Sequence, residues 1–304
     1  MRNEKFDGVM TALCTMYNRD GSVNADMVKA HTNFCVEGGV STVLASAGSG
    51  QYVNMTAKQR EDTIKAVVAG AAGRVPVLAG ILDPGLGQAL ENAKRAEAAG
   101  AEALVVLPPY YVTVTQEGIY DYYAELSQAV SIPIIVYNYP GRILTNVQPE
   151  TLARMMREIH SIIGVKECSD YSQFLNAVRL IGDDGAVFSG SDLAFADQVL
   201  TGAKGGVIAA SCVLPSQYAE IYRLAKAGDT KAAHELIFKY FALVKGLFGN
   251  GMHPSPLKYA MSLMGQEIGE WLTPVREPDD ATKELLRTEL ERHGTVSYTH
   301  LPRS

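Results

Sequence analysis

The sequence predicts an α/β fold, a (β/α)8 TIM barrel with a C-terminal helical appendage, on three observations. Eight short apolar runs recur along the chain, at 9–13, 42–45, 76–78, 104–107, 134–137, 162–166, 186–189 and 207–210. Their starts lie roughly 20 to 35 residues apart, the repeat of successive strand–helix units. Segments with helical patterning fall between them, for example 58–70, 87–99, 118–130, 149–159 and 191–202. Finally, the first run leads into A-L-C-T-M-Y-N-R-D-G (12–21). An open doubly wound sheet would usually carry a Gly-rich phosphate loop there, so the closed parallel barrel is preferred.

Taken in order, each element has a local reason. The runs are three to five residues of mostly Val, Ile, Leu and Ala, the pattern of strands buried on both faces. The helix at 87–99 reads G-Q-A-L-E-N-A-K-R-A-E-A-A and stops at Gly100, and Gly73 and Gly202 punctuate two others in the same way. After the eighth run no further strand is expected. The segments 216–228, 230–247, 256–264 and 280–293 all read as helices. The expected organisation is a barrel over 1–215, a helical region over 216–294 and a disordered tail over 295–304.

Composition narrows the function. Of 304 residues, 47 % are hydrophobic and 20 % charged, enough apolar material for a full core. A net charge of -6 with no basic block argues against nucleic acid or an anionic membrane as partner. No apolar run approaches the length of a bilayer span. The charged start, Met1 to Lys5, lacks the apolar stretch of a signal peptide, so a cytoplasmic location is expected. Cys14, Cys35, Cys168 and Cys212 are scattered, without C-x-x-C spacing, and read as reduced buried thiols. The six histidines form no close ligand pair, so neither a metal nor another cofactor is expected.

In an α/β barrel the C-terminal ends of the strands form the reactive mouth. That rule selects A-G-S-G-Q (47–51), P-P-Y-Y (108–111), Y-N-Y-P-G-R (137–142), S-G-S-D (189–192), A-A-S-C (209–212) and Lys166. Lys166 is the most informative of these. It ends the apolar run I-I-G-V-K, and desolvation at such a position disfavours the ammonium form and frees the lone pair for attack on a carbonyl. A phenol on the neighbouring strand, Tyr137, can shuttle the protons that carbinolamine formation and dehydration require. Gly48 and Ser49 can offer backbone N–H groups and a hydroxyl to a carboxylate, and Arg142 offers a planar fork for a second one. Singly, each has a plain structural explanation; gathered on one rim, they describe a Schiff-base site for a 2-oxo acid.

These motifs resemble the dihydrodipicolinate synthase / N-acetylneuraminate lyase family of pyruvate-dependent class I aldolases. The resemblance covers about residues 6–294 and rests on A-G-S-G-Q, P-P-Y-Y with Q-E-G-I-Y, Y-N-Y-P-G-R, G-V-K-E, S-G-S-D and H-P-S-P-L-K-Y-A. It implies that Lys166 forms the imine with pyruvate and that Tyr137 relays protons. It implies that Tyr111 reaches into a neighbouring subunit's site and that Arg142 holds the carboxylate of the second substrate. Gly48, Ser49, Gly190 and Ile208 complete the implied substrate-binding set, and a homotetramer built as a dimer of dimers is the implied assembly. The chain departs from the family where Ala47-Gly48-Ser49-Gly50-Gln51 replaces Gly-Thr-Thr-Gly-Glu or Gly-Ser-Thr-Gly-Glu. Gly48 removes the hydroxyl that links the two tyrosines in synthases. The expected activity is therefore condensation of pyruvate with an aldehyde, or the reverse cleavage of a 2-oxo acid. Dihydrodipicolinate synthase, a 2-oxo-3-deoxy sugar-acid aldolase and a sialate lyase are the alternatives, with a non-catalytic 2-oxo-acid-binding homologue as a different class.

Overall fold

The computed structural model describes residues 4–248 and 254–296. Eight parallel strands close into a barrel in sequence order, β1 pairing with β8. They are β1 (Gly8–Ala12), β2 (Thr42–Ala45), β3 (Val77–Ile81) and β4 (Ala103–Val106). The second half is β5 (Ile134–Asn138), β6 (Ile162–Glu167), β7 (Ala186–Ser189) and β8 (Gly205–Ile208).

The connecting helices are α1 (Ala25–Glu37), α2 (Ala57–Ala71), α3 (Leu86–Ala98) and α4 (Gln116–Ala129). The short α5 (Pro140–Ile143) precedes α6 (Pro149–Glu158), and α7 (Tyr171–Ile181) and α8 (Phe195–Leu200) follow. Next, α9 (Pro215–Lys226) packs against α8, α1 and β1, completing the helical ring. Beyond it come α10 (Thr230–Lys239), α11 (Phe241–Phe248), α12 (Pro254–Leu263) and α13 (Asp280–Arg292). The single helix expected over 230–247 is two helices that meet at Tyr240. Of the tail expected over 295–304, Thr295 and Val296 are described, and Thr295 donates to the Leu290 carbonyl; residues 297–304 lie outside the described residues, as does His253.

Strand alternation divides the core in two. Met10, Leu44, Leu78, Val105, Ile135, Phe188 and Val207 fill the barrel interior. Their neighbours Val9, Val43, Leu104, Val136, Val165, Val187 and Ile208 pack outward against the helices. A period of two forces this, because successive side chains leave opposite faces of a strand. With Val165 facing outward, Gly164 and Lys166 must face inward. A Cβ at Gly164 would lie 2.5 Å from the Ala186 carbonyl oxygen and 3.0 Å from the Phe188 ring, so the level below Lys166 is filled from β7.

Two expected strands differ from those found by more than one residue, and glycine is the reason in both. β3 continues through Gly80 to Ile81, beyond the expected 76–78. β8 begins at Gly205, two residues before the expected 207. A Cβ at residue 205 would stand 2.0 Å from the Gly8 carbonyl oxygen, so this pair of glycines lets β1 and β8 close the barrel. A glycine in a strand can mark close backbone approach rather than a turn.

Candidate active site

Lys166 and Tyr137 are register partners across β5 and β6 at the C-terminal ends of those strands. Both are buried, Lys166 at 5 % and Tyr137 at 2 % exposure, so the amine sits in a largely water-free setting. The Lys166 Nζ lies 3.9 Å from the centroid of the Tyr137 ring. That contact places the Lys166 head group over the face of the ring. The Tyr137 ring in turn stacks on Tyr139, with centroids 6.0 Å apart and planes at 23°. Burial, above all, pushes the Tyr137 phenol well above its ordinary value; Cys168 and Tyr139 add to this and Arg142 opposes it. The hydroxyl is therefore protonated throughout the neutral range.

A cavity of about 400 Å³ is lined by residues at and after the ends of β5, β6 and β7. Lys166 and Tyr137 do not line it, but Glu167 and Cys168, which follow the lysine, and Tyr139, which stacks on Tyr137, do. Tyr139 and Arg142 form one side; Glu167, Cys168 and Ser169 continue it; Gly190, Ser191 and Asp192 face them. Arg142 lies on the one-turn helix α5 and is exposed, with no ion-pair partner among the described residues. Gly190 is required by packing: a Cβ there would overlap the Cys168 sulfur at 1.9 Å. The Asp192 carboxylate accepts from the Ala210 N–H at 2.7 Å, and burial raises it to about 6 while Lys166 pulls it back.

Next to Lys166 and Tyr137 lies a polar network to which the sequence reading assigned no role. Asn138, fully buried, donates through Nδ2 to both carboxylate oxygens of Glu167 at 3.1 Å. Its Oδ1 accepts from the Val147 N–H at 3.0 Å. Glu167 also accepts from the Ser169 N–H at 2.9 Å, and burial raises its carboxyl while these hydrogen bonds oppose that shift. The next residue along, Asp170, caps α7 by accepting from the Gln173 N–H at 2.9 Å. Such a cap is typically worth about 1 kcal/mol. Together these bonds fix the strand ends that carry Tyr137 and Lys166 and start the next helix without slack. The signal for them was present: Asn138 and Glu167 are polar residues directly continuing apolar runs.

The remaining expected residues divide. Ser49 is buried and Gly48 half-buried in the turn after β2. Strained backbone in this turn falls at Ser46 (φ 51) and Gln51 (φ 66), not at Gly48. Gln51 is buried, and neither polar atom of its amide has a partner among the described residues. Ile208 ends β8, but its side chain belongs to the helix-facing core, leaving only its backbone toward the mouth. Tyr111 is 90 % exposed and joins Val112 and Leu144, 60 % and 91 % exposed, in an uncovered apolar patch. Among the described residues no three His, Cys, Asp or Glu side chains gather to hold a metal, and no helix is long and apolar enough to cross a membrane.

A closed parallel barrel with a buried lysine and a buried phenol on adjacent strand ends is an arrangement that suits the chemistry of a Schiff-base lyase. Residues 5–293 match the Dihydrodipicolinate synthetase family. A 4-hydroxy-tetrahydrodipicolinate synthase from Fervidobacterium nodosum is 32 % identical over 293 residues, 96 % of this chain and 100 % of the relative. The crystal structure of a dihydrodipicolinate synthase from Thermotoga maritima superposes with a TM-score of 0.92 at 30 % identity, covering 96 % of this chain and 100 % of that one. A solved monomeric dihydrodipicolinate synthase variant superposes equally well, with a TM-score of 0.92 at 30 % identity over 96 % of this chain and 98 % of its own. The chain belongs to the dihydrodipicolinate synthetase family. It is a pyruvate-dependent class I aldolase, an enzyme that makes or breaks a carbon–carbon bond.

Proposed function

We propose that Lys166 forms the imine with pyruvate, that Tyr137 moves the protons, and that the acceptor is an aldehyde carrying an acid group and hydroxyls. The observation that carries this is the Tyr137–Lys166 pairing, with the amine 3.9 Å from the ring. The amine adds to C2 of pyruvate, and the carbinolamine loses water as its oxygen is protonated. Loss of a C3 proton from the imine gives an enamine, whose C3 attacks the aldehyde carbon. Water then hydrolyses the new imine, restoring the amine and releasing a 2-oxo acid. Every step uses protons and water only, so the chemistry asks for no metal and no redox partner. Gly48 and Ser49 receive the pyruvate carboxylate, the Gly190 and Ile208 backbones border the bound imine, and Arg142 takes the acid group of the acceptor. Ser169, Ser191, Asp192 and Gln198 line the same cavity and suit hydroxyls. We place the enzyme in the cytoplasm, where pyruvate is available.

A second reading, that the acceptor is aspartate semialdehyde, is favoured by the names of the relatives. Pyruvate consumption with aspartate semialdehyde, glyceraldehyde and 2-hydroxy-3-oxopropanoate distinguishes the two. Preference for the hydroxylated acidic aldehyde is expected, and preference for aspartate semialdehyde overturns it. Gly48→Thr gives an independent measure. Gly48 is outside the left-handed region, so the variant should melt close to wild type. Its side chain should lower turnover with the bulkier acceptor and bring little gain with aspartate semialdehyde. A large gain there would mean a synthase with a weakened proton relay.

For assembly we propose a homotetramer built as a dimer of dimers, with the Tyr111, Val112 and Leu144 patch covered by a second copy and Tyr111 reaching its site. Sedimentation should give a tetramer at working concentrations. A fully active monomer would contradict both the assembly and the shared tyrosine.

A further inference from the structure

Lys258 is a lysine with no exposed surface, and the chemistry above gives it no part. It lies on α12 in S-P-L-K-Y-A (255–260), a motif that the reaction leaves unexplained. Its Nζ donates to the Glu270 carbonyl at 3.0 Å and faces the rings of Trp271 at 4.8 Å and Tyr17 at 5.8 Å. Burial lowers this amine to about 8. A methionine would fill similar space without desolvating a charge. What the ammonium adds is a fixed Glu270 carbonyl.

From Glu270 the connection runs to the mouth of the barrel. The Glu270 N–H donates to the Tyr17 carbonyl at 2.8 Å, and the two residues form an antiparallel bridge. Gly269 (φ 61) permits the approach, since a Cβ there would lie 2.4 Å from the Tyr17 carbonyl oxygen. Tyr17 is 1 % exposed, and its hydroxyl donates to the Gly50 carbonyl across a long 3.4 Å. Gly50 is itself hemmed in: a Cβ would meet the Leu13 carbonyl oxygen and Thr15 Oγ1 at 3.2 Å. Residues 47–51 are the turn assigned above to the pyruvate carboxylate.

We propose that Lys258 is a positioning residue for pyruvate, bracing the 47–51 turn through Glu270 and Tyr17. The helices that follow the barrel thereby take part in substrate binding without touching the substrate. The inference rests on the reading of that turn as the carboxylate site.

Tyr17→Phe removes only the hydroxyl that reaches Gly50, and Lys258→Met removes the charge at the other end. Each is expected to raise KM for pyruvate roughly threefold to tenfold, the scale of one hydrogen bond, with kcat within about twofold of wild type. The double variant should be no worse than the worse single one, because both break the same connection. A purely structural role would lower Tm and leave KM alone. An unchanged pyruvate KM in folded Tyr17→Phe overturns the brace, and that variant keeps the test open if Lys258→Met does not fold. Borohydride trapping of pyruvate on wild-type Lys166, run in parallel, separates the two levels. If trapping succeeds while KM stays fixed in the variants, only the brace fails; if wild type traps no pyruvate, the active-site reading fails and the brace with it.

Discussion

Lys166→Ala is expected to abolish turnover, a loss of roughly 10⁴-fold or more, because no other group in the site can supply the covalent electron sink. Reduction with borohydride in the presence of pyruvate should add the pyruvate-derived mass to the wild-type peptide that contains Lys166, and nothing to the variant. The expectation follows from burial. Lys166 is 5 % exposed and held against the Tyr137 ring, so its Nζ meets a carbonyl carbon in competition with little water. The other buried lysine, Lys258, is committed to the Glu270 carbonyl. Labelling at Lys258 or at any surface lysine would remove the basis of the mechanism. A chelator should leave wild-type activity unchanged, since each proposed step moves only protons and water. The alanine variant should remain folded: Asn138 and Glu167, which join β5 to β6 next to the lysine, do not depend on it.

Much of this was legible in the sequence, for reasons that can be assigned residue by residue. β2, β5 and β7 are found where the apolar runs lie, since Val, Ile, Leu and Ala facing both the barrel interior and the helices leave little ambiguity. The placement of Lys166 and Tyr137 side by side was legible because both close apolar runs that the barrel pairs as neighbouring strands. What escaped depends on distant parts of the chain. Gly80 and Gly205 look like turn residues until a neighbouring strand arrives, and then they are what lets it fit. Asn138 and Glu167 are buried polar groups made tolerable by each other, a fact that exists only once β5 and β6 pair. Lys258 falls in a segment with helical pattern and nothing there marks it as buried; its partners, the Glu270 carbonyl and the Trp271 and Tyr17 rings, come from elsewhere in the chain. Tyr111, by contrast, was expected to serve a neighbouring subunit's site, and its exposure leaves it free to do so.

Tyr137→Phe should lower the rate by about 10²–10⁴ while the protein stays folded, the range for loss of a positioned acid–base group. The argument separates the ring from the hydroxyl. The ring packs among the barrel's inner residues, stacks on Tyr139 and carries the lysine on its face, and phenylalanine can do all three. Tm should therefore move little. What disappears is a proton that burial holds on the phenol far above neutral pH, so that it can be given to a leaving hydroxyl and recovered later in the cycle. Imine trapping in this variant should still mark Lys166, only more slowly, because the nucleophile is intact and dehydration of the carbinolamine is the impaired step. That combination, a marked lysine with slow turnover, distinguishes a proton relay from a packing aromatic. Wild-type turnover in Tyr137→Phe would make the tyrosine a support for Lys166 alone. The proton path would then have to be sought in bound water or in Asp192, whose carboxyl, raised to about 6, lines the neighbouring cavity.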